Sequence, residues 1–356
     1  MKMRIGEIYL FALFFFINGC NFIVNIKDEP VKERVQIYKK GFNFVSWKRT
    51  EYSTDYAKSS FDTMMTSGAN WVSIVVTLYQ KSLNDTLMID DPVKTPSTYS
   101  ISQIVQYAHS KNFGVMLKIH LDTYDDVSRT KIKPSNIFAW FRNYSKYVLN
   151  YARICEMLGV EMFCVGTELL SLSGERALWS ELIDSVRKIY TGKIIYASNF
   201  DEYRYVSFWD KVDYIGIDFF APVSNKADPT YDELVLGWQP YLNDLKIWFS
   251  ENHSSKKLIF TEIGYPSTDG ASMKPWRVGN VIDLEEQSLC YEVALDIISN
   301  IDFVDGVFIW NWDANLMADS LKMGFSPYGK PSFEVLKKHW LKQPVLSKNK
   351  NWWFIQ

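Results

Sequence analysis

Eight short apolar runs punctuate the chain from residue 41 onward, and longer amphipathic stretches fill most of the gaps between them. The runs are Gly41–Trp47, Trp71–Thr77, Val115–His120, Met162–Glu168, Ile194–Asn199, Val212–Asp218, Leu258–Glu262 and Val307–Trp310. Each is rich in β-branched or aromatic residues and near the usual strand length. They are apolar nearly throughout rather than alternating, as parallel strands buried on both faces should be. Between them, Ile101–Ser110, Trp140–Leu158, Ala177–Tyr190, Tyr231–Phe249 and Glu285–Ile298 carry apolar residues at helical spacing. Ser102 and Asp283, the latter ahead of Glu285 and Glu286, mark candidate helix starts. Gly68, Gly114, Gly159 and Gly192 fall where a helix must give way to a strand. Strand–helix alternation repeated about eight times predicts an α/β chain folded as one (β/α)₈ TIM barrel over residues 39–342. A doubly wound open sheet is the alternative, but nothing of the form GxGxxG follows the first run. No internal linker marks a second domain, and the tail 343–356 is unassigned.

The segment before the first run reads differently. Lys2 and Arg4 precede a short apolar stretch, Ile8 to Ile17, that ends at Asn18-Gly19-Cys20. This predicts a signal peptide over residues 1–19, too short to span a bilayer. The Ile-Asn-Gly-Cys ending resembles a bacterial lipobox, which implies lipidation of Cys20 and an exported lipoprotein on the cell envelope. A signal peptide cut elsewhere and an uncleaved anchor are the alternatives. Residues 20–38, polar and charge-rich, then serve as a tether.

Composition narrows the chemistry. A net charge of −2 gives no case for a nucleic-acid partner, because polyanion binding needs a basic excess. Aromatic residues make up 16%, a surplus that fits a protein stacking sugar rings, although part of it must be core. Beyond Cys20, three cysteines remain, without metal-site spacing, and HxH, HExxH and CxxC patterns are absent. Neither a metal nor another cofactor is expected.

Polar residues gather where the runs end: Trp47, His120, Glu168, Asn199, Asp218, Glu262 and Trp310. In a (β/α)₈ barrel those ends share one rim, where catalysis sits. Burying an unpaired charge is costly, so two runs ending in glutamate need an account. Strands four and seven lie on roughly opposite sides of a barrel, which brings Glu168 and Glu262 together over its mouth. Strict alternation puts Glu168 on one face with Gly166 and Cys164, while Phe163 and Val165 point toward the helices. Carboxyls about 5 Å apart suit double displacement through a covalent glycosyl-enzyme, whereas about 6.5–9.5 Å indicates inversion. The bland alternative is a structural ion pair with Lys118 or Arg49.

Several stretches together resemble glycoside hydrolase family 113, within the large clan of retaining barrels. They are Ser67–Val72, Thr95-Pro-Ser97, Ala108-His109, Leu117-Lys-Ile-His120-Leu-Asp122, Val165-Gly-Thr-Glu-Leu169, Phe260-Thr-Glu-Ile-Gly-Tyr265, Pro275-Trp276 and Ser326-Pro-Tyr-Gly-Lys-Pro331. The resemblance runs in order from about Gly41 to just past Pro331. It implies that Glu168 is the acid/base, Glu262 the nucleophile, and a β-1,4-linked mannan or manno-oligosaccharide the substrate. It also implies a sugar-stacking platform at the end of strand eight, which favours Trp310 over Trp312. His120, Asn199 and Asp218 are candidate sugar ligands. His120 could equally be a buried support, and Asp218 could accept from a nearby Lys or Arg. Trp47 and Trp276 are candidate platforms for outlying sugars, or packing. Tyr265 is as readily core.

Two positions depart from the clan. Thr167 stands where an asparagine usually binds the sugar 2-hydroxyl, and strand six ends Asp218-Phe219-Phe220, where a tyrosine would orient the nucleophile. Losing that hydroxyl would leave Glu262 less restrained. Two rivals to a mannan hydrolase follow: a glycan-binding lipoprotein with a degenerate site, and the same mechanism on another β-linked sugar.

Overall fold

A computed structural model describes residues 38–316 and 323–341. The expected signal peptide, Cys20, the tether up to residue 37 and the tail 343–356 lie outside the described residues. Eight parallel strands close into a barrel in chain order: β1 (Lys39–Val45), β2 (Trp71–Gln80), β3 (Gly114–Thr123), β4 (Met162–Thr167), β5 (Lys193–Asn199), β6 (Tyr214–Phe219), β7 (Lys257–Ile263) and β8 (Val304–Asp313). Around them run α1 (Asp55–Met65), α2 (Thr98–Ser110), α3 (Ile137–Leu158), α4 (Arg176–Arg187), α5 (Tyr231–Asn252), α6 (Leu284–Ile298) and α7 (Pro331–Leu341). This is a (β/α)₈ barrel. Between β5 and β6 a single 3₁₀ turn, Trp209–Lys211, takes the place of a helix.

The helix starts have local causes. Asp283 caps α6, accepting from the amides of Glu285 and Glu286. At α2 the cap is Ser97 rather than Ser102; the helix begins a turn earlier, and Ser102 Oγ donates back to the Tyr99 carbonyl. Gly159 ends α3 at a φ of 68°, a left-handed conformation suited to glycine.

Outward strand residues such as Phe163, Val165, Tyr196, Ile217 and Phe260 join the helices in one large core. Inside the barrel the filling is layered. At the bottom, Lys39 pairs with Asp305 at 2.5 Å. Above lies an apolar plug of Met116, Met162, Cys164, Ile195, Ala197, Ile259 and Phe308. Higher still, toward the strand C-termini, come the polar side chains of Asn43, Lys118, Asp218 and Thr261, all fully buried.

Three strands break the two-residue repeat near the top. Cys164 pairs with Ile195 and Thr167 with Ala197, so β4 carries one extra residue. Ile217 pairs with Phe260 and Asp218 with Glu262, so β7 does too. Phe42 pairs with Ile309 and Phe44 with Trp312, which puts an extra residue in β8. Such bulges re-aim the side chains beside them. On β7 the effect is decisive. Ile259 and Thr261 point inward, so unbroken alternation would send Glu262 out to the helices; the bulge turns it in.

Candidate active site

A pocket of about 280 Å³ opens at the C-terminal end of the barrel, lined by residues that include Glu168, Glu262, His120, Arg129, Asn199, Phe220, Trp276 and Trp310. Both glutamates therefore face one cavity.

Glu168 follows the last residue of β4 and adopts a φ of 53°. For a residue with a Cβ this left-handed conformation costs about 1–2 kcal/mol. It is held by the Glu168 amide, which donates to the Ala197 carbonyl at 2.8 Å. The side chain is 17% exposed, against 4% for Glu262, so Glu168 is the more accessible of the two carboxyls. Arg129 Nη1 lies 3.7 Å away. Burial, with Asp218 and Glu262 adding to it, raises the Glu168 carboxyl well above the usual range despite Arg129 and Lys118.

Glu262 is clamped from below. Lys118 Nζ donates to its Oε1 at 2.6 Å and to the two Asp218 oxygens at 2.9 and 3.1 Å. Burial works against a charged ammonium there, but Asp218 and Glu262 outweigh it and raise the Lys118 pKa above its ordinary value. Asp218 also accepts from Thr261 Oγ1 at 2.6 Å, and burial raises its carboxyl. From the side, His120 Nε2 sits 3.1 Å from Glu262 Oε1 but off the line of a hydrogen bond. Arg129 Nη1 donates to His120 Nδ1 at 2.9 Å, so the ring proton resides on Nε2. Burial, helped by Arg129 and Lys118, lowers the imidazole well below its ordinary pKa and keeps it neutral.

The remaining sequence candidates separate cleanly. Trp310 lines the pocket and stacks on His120, with centroids 5.4 Å apart and planes 16° from parallel. Trp312 does not share its facing, because the β8 bulge intervenes; it is fully buried against Phe42 and Phe333 and donates to Ser60 Oγ at 2.9 Å. Asn199 and Trp276 line the pocket, Trp276 half exposed. Asp218 as a sugar ligand is corrected: it is fully buried under the pocket floor and accepts from Lys118 and Thr261 instead. Trp47, 42% exposed, lies beyond the end of β1 and outside the pocket lining. Tyr265 is core, packed edge-on against Tyr291. Thr167 is buried and donates to the Ile119 carbonyl at 2.8 Å, so it does not stand in for a 2-hydroxyl ligand.

Gly166 also departs from the expected alternation. A Cβ there would meet Trp179 and Tyr196 in the helix-side core, at 2.9 and 3.0 Å, so the position faces outward past the β4 bulge. Phe219 likewise points out, stacked on Trp238, and Phe220 is the residue that reaches the pocket. A tyrosine hydroxyl is not what restrains Glu262; the Lys118 ammonium is. Lys118, His120 and Asp122 alternate along β3, which was the available signal for this inward polar face. Arg129, in the loop after β3, had none. It joins Asp122 at 2.6 Å, His120 and Glu168 in one contact network.

Away from the pocket, Asp228, Asp269 and Asp283 bring one carboxylate oxygen each within 4.8 Å of one another. Asp283 is engaged in capping α6, and exposed acidic groups commonly meet this way without an ion.

The family model described as Glycoside Hydrolase Family 113 matches residues 41–330. Among solved structures, a β-1,4-mannanase of that family is 24% identical with a TM-score of 0.78, over 86% of this chain and all of that one. A β-mannanase of the same family from Alicyclobacillus acidocaldarius, solved in complex with ManMIm, is 27% identical with a TM-score of 0.77, over 86% of this chain and 97% of that one. A Ruminococcus gnavus β-glucuronidase shares the fold alone, at 12% identity and a TM-score of 0.61 over 85% of this chain and 50% of its own. No curated protein sequence matches significantly.

Proposed function

Because the chain belongs to glycoside hydrolase family 113 and is a glycoside hydrolase, we propose that it cleaves β-1,4-linked mannan or manno-oligosaccharides with retention of configuration. Glu168 and Glu262 facing one pocket is the observation that carries this reading. In the first step the protonated Glu168 carboxyl donates to the glycosidic oxygen as its bond to the anomeric carbon breaks. A Glu262 oxygen attacks that carbon, forming a covalent glycosyl-enzyme. In the second step Glu168, now a carboxylate, takes a proton from water. The water oxygen attacks the anomeric carbon, and Glu262 departs.

The surroundings support these roles. A carboxyl raised by burial keeps its proton for donation near neutral pH. An ammonium 2.6 Å from Glu262 favours the charge that the nucleophile carries before attack and regains on leaving. The Trp310 face offers apolar area to the C–H face of a pyranose. The buried His120 Nε2 proton has no hydrogen-bond partner and lies 3.1 Å from Glu262 Oε1, beside the carboxylate that would attack. The pocket sits near the lower end of the usual range of ligand-site volumes, about 300–1,000 Å³, which suits one ring. Neighbouring sugars then lie along the rim near Trp276. The same proposal places the enzyme on a bacterial cell envelope through Cys20.

Glu168→Ala and Glu262→Ala are each expected to abolish release of reducing sugar from a mannan. Azide should restore turnover of an activated substrate in Glu168→Ala, with a β-glycosyl azide as product. Normal activity in either purified variant would remove that carboxylate from the mechanism.

A further inference from the structure

Glu202, in the turn after β5, is a fully buried carboxyl outside the pocket lining. Its Oε1 accepts the Tyr196 hydroxyl at 2.5 Å, and its Oε2 accepts the Asn199 amide at 2.8 Å. Tyr196, on β5, is equally buried, and its oxygen accepts the Leu169 amide at 3.0 Å. Leu169 directly follows Glu168. The Glu168 amide is itself tied to Ala197, also on β5. Both peptide N–H groups flanking the Glu168 side chain are therefore fixed to one strand, the second of them through a tyrosine that Glu202 holds. A left-handed conformation at a residue other than glycine persists only where the surroundings over-determine it, and here two independent bonds do so.

We propose that Glu202 and Tyr196 are positioning residues for the acid/base: the relay from Glu202 through Tyr196 to the Leu169 amide holds the turn that aims Glu168 into the pocket. Through its other oxygen, Glu202 also fixes the backbone of Asn199 on the same rim. The inference rests on the reading of Glu168 as acid/base and concerns its aim, not its identity. Neither Glu202 nor Tyr196 touches the substrate. Their loss should impair protonation of the leaving group while leaving attack by Glu262 intact, because the Lys118 clamp belongs to other strands.

The test compares kcat/KM, which reports the first chemical step, on 2,4-dinitrophenyl β-mannobioside and on mannohexaose. Dinitrophenolate leaves without a proton; a sugar alcohol does not. Glu168→Ala sets the signature of lost acid catalysis, a large loss on mannohexaose and a small one on the activated probe. Tyr196→Phe and Glu202→Ala are expected to reproduce it in part, losing ~10–100-fold on mannohexaose and no more than about threefold on the dinitrophenyl probe. Glu202→Gln keeps the shape but sets an NH₂ donor against either the Tyr196 hydroxyl proton or the Asn199 N–H, so it should show the same pattern of loss at a smaller size than Glu202→Ala. Equal losses on both probes, or none, would overturn the proposal. If Glu168→Ala itself lacked the signature, the acid/base reading would fail instead. Crystal structures of Tyr196→Phe and Glu202→Ala give a readout independent of the sugar: the Glu168 carboxyl displaced, with the Lys118–Glu262 contact kept. An unmoved Glu168 in both variants would equally overturn the relay.

Discussion

A buried ammonium between two buried carboxylates acts on stability and on reactivity at once, and Lys118 is placed for both. Removing it leaves Asp218 and Glu262 as like charges in a dry site, and breaking a buried pair in this way costs about 3–5 kcal/mol. Lys118→Met should therefore lower the urea midpoint sharply. It should also lower kcat by ~10²-fold or more, because Glu262, the proposed nucleophile, loses its nearest charge partner. Adding Asp218→Asn should recover part of the stability and little of the activity; recovery of both together would mean that Lys118 is only structural. At this scale the sequence was legible for residues that end a strand and for Lys118 as an ion-pair partner of the glutamates, and silent for Arg129. Glu168 and Glu262 stood out as carboxylates closing apolar runs. Arg129 did not, because it lies in a loop where an arginine is unremarkable, and its meaning arises only from folding back onto His120 and Glu168. Asp218 stood out with two readings, sugar ligand or acceptor from a nearby Lys or Arg; its inward facing is visible in the pattern, but its depth below the pocket floor, which decides for Lys118, is not.

The elements follow the same division. All eight strands were legible as β-branched runs, and five helices by their apolar spacing. The helix α1 escaped because its buried positions, Ala57, Ser60, Phe61 and Met64, include a small and a polar residue that dilute the stripe. The short α7 buries only Ser332, Leu336 and Trp340, too few apolar positions to define a period. The bulges were harder still. Two-residue alternation correctly assigned Cys164 inward and Phe163 and Val165 outward, then failed at Gly166. An isolated glycine inside a strand pattern is itself a bulge signal; β7 offered no such mark at Thr261. Gly166→Ala would press a methyl against Trp179 and Tyr196 and should cost about 1–3 kcal/mol in chemical denaturation. A neutral effect there would show that the two rings can give way.

For the molecule as a whole, the barrel stacks an apolar plug beneath a charged layer and a pocket above that layer. The plug keeps water from the underside of the Lys118 cluster, where electrostatic interactions are correspondingly strong. The proposed lipid anchor at Cys20 has its own test: radioactive fatty acid should label the wild-type protein and not Cys20→Ala, and label retained in the variant would refute it. The mechanism is tested most directly by the configuration of the first product. Hydrolysis of mannohexaose followed by proton NMR should show the β-anomer of the new reducing end appearing first, with the α-anomer growing in only by mutarotation. Initial release of the α-anomer would mean direct displacement by water, and Glu262 would not be a nucleophile.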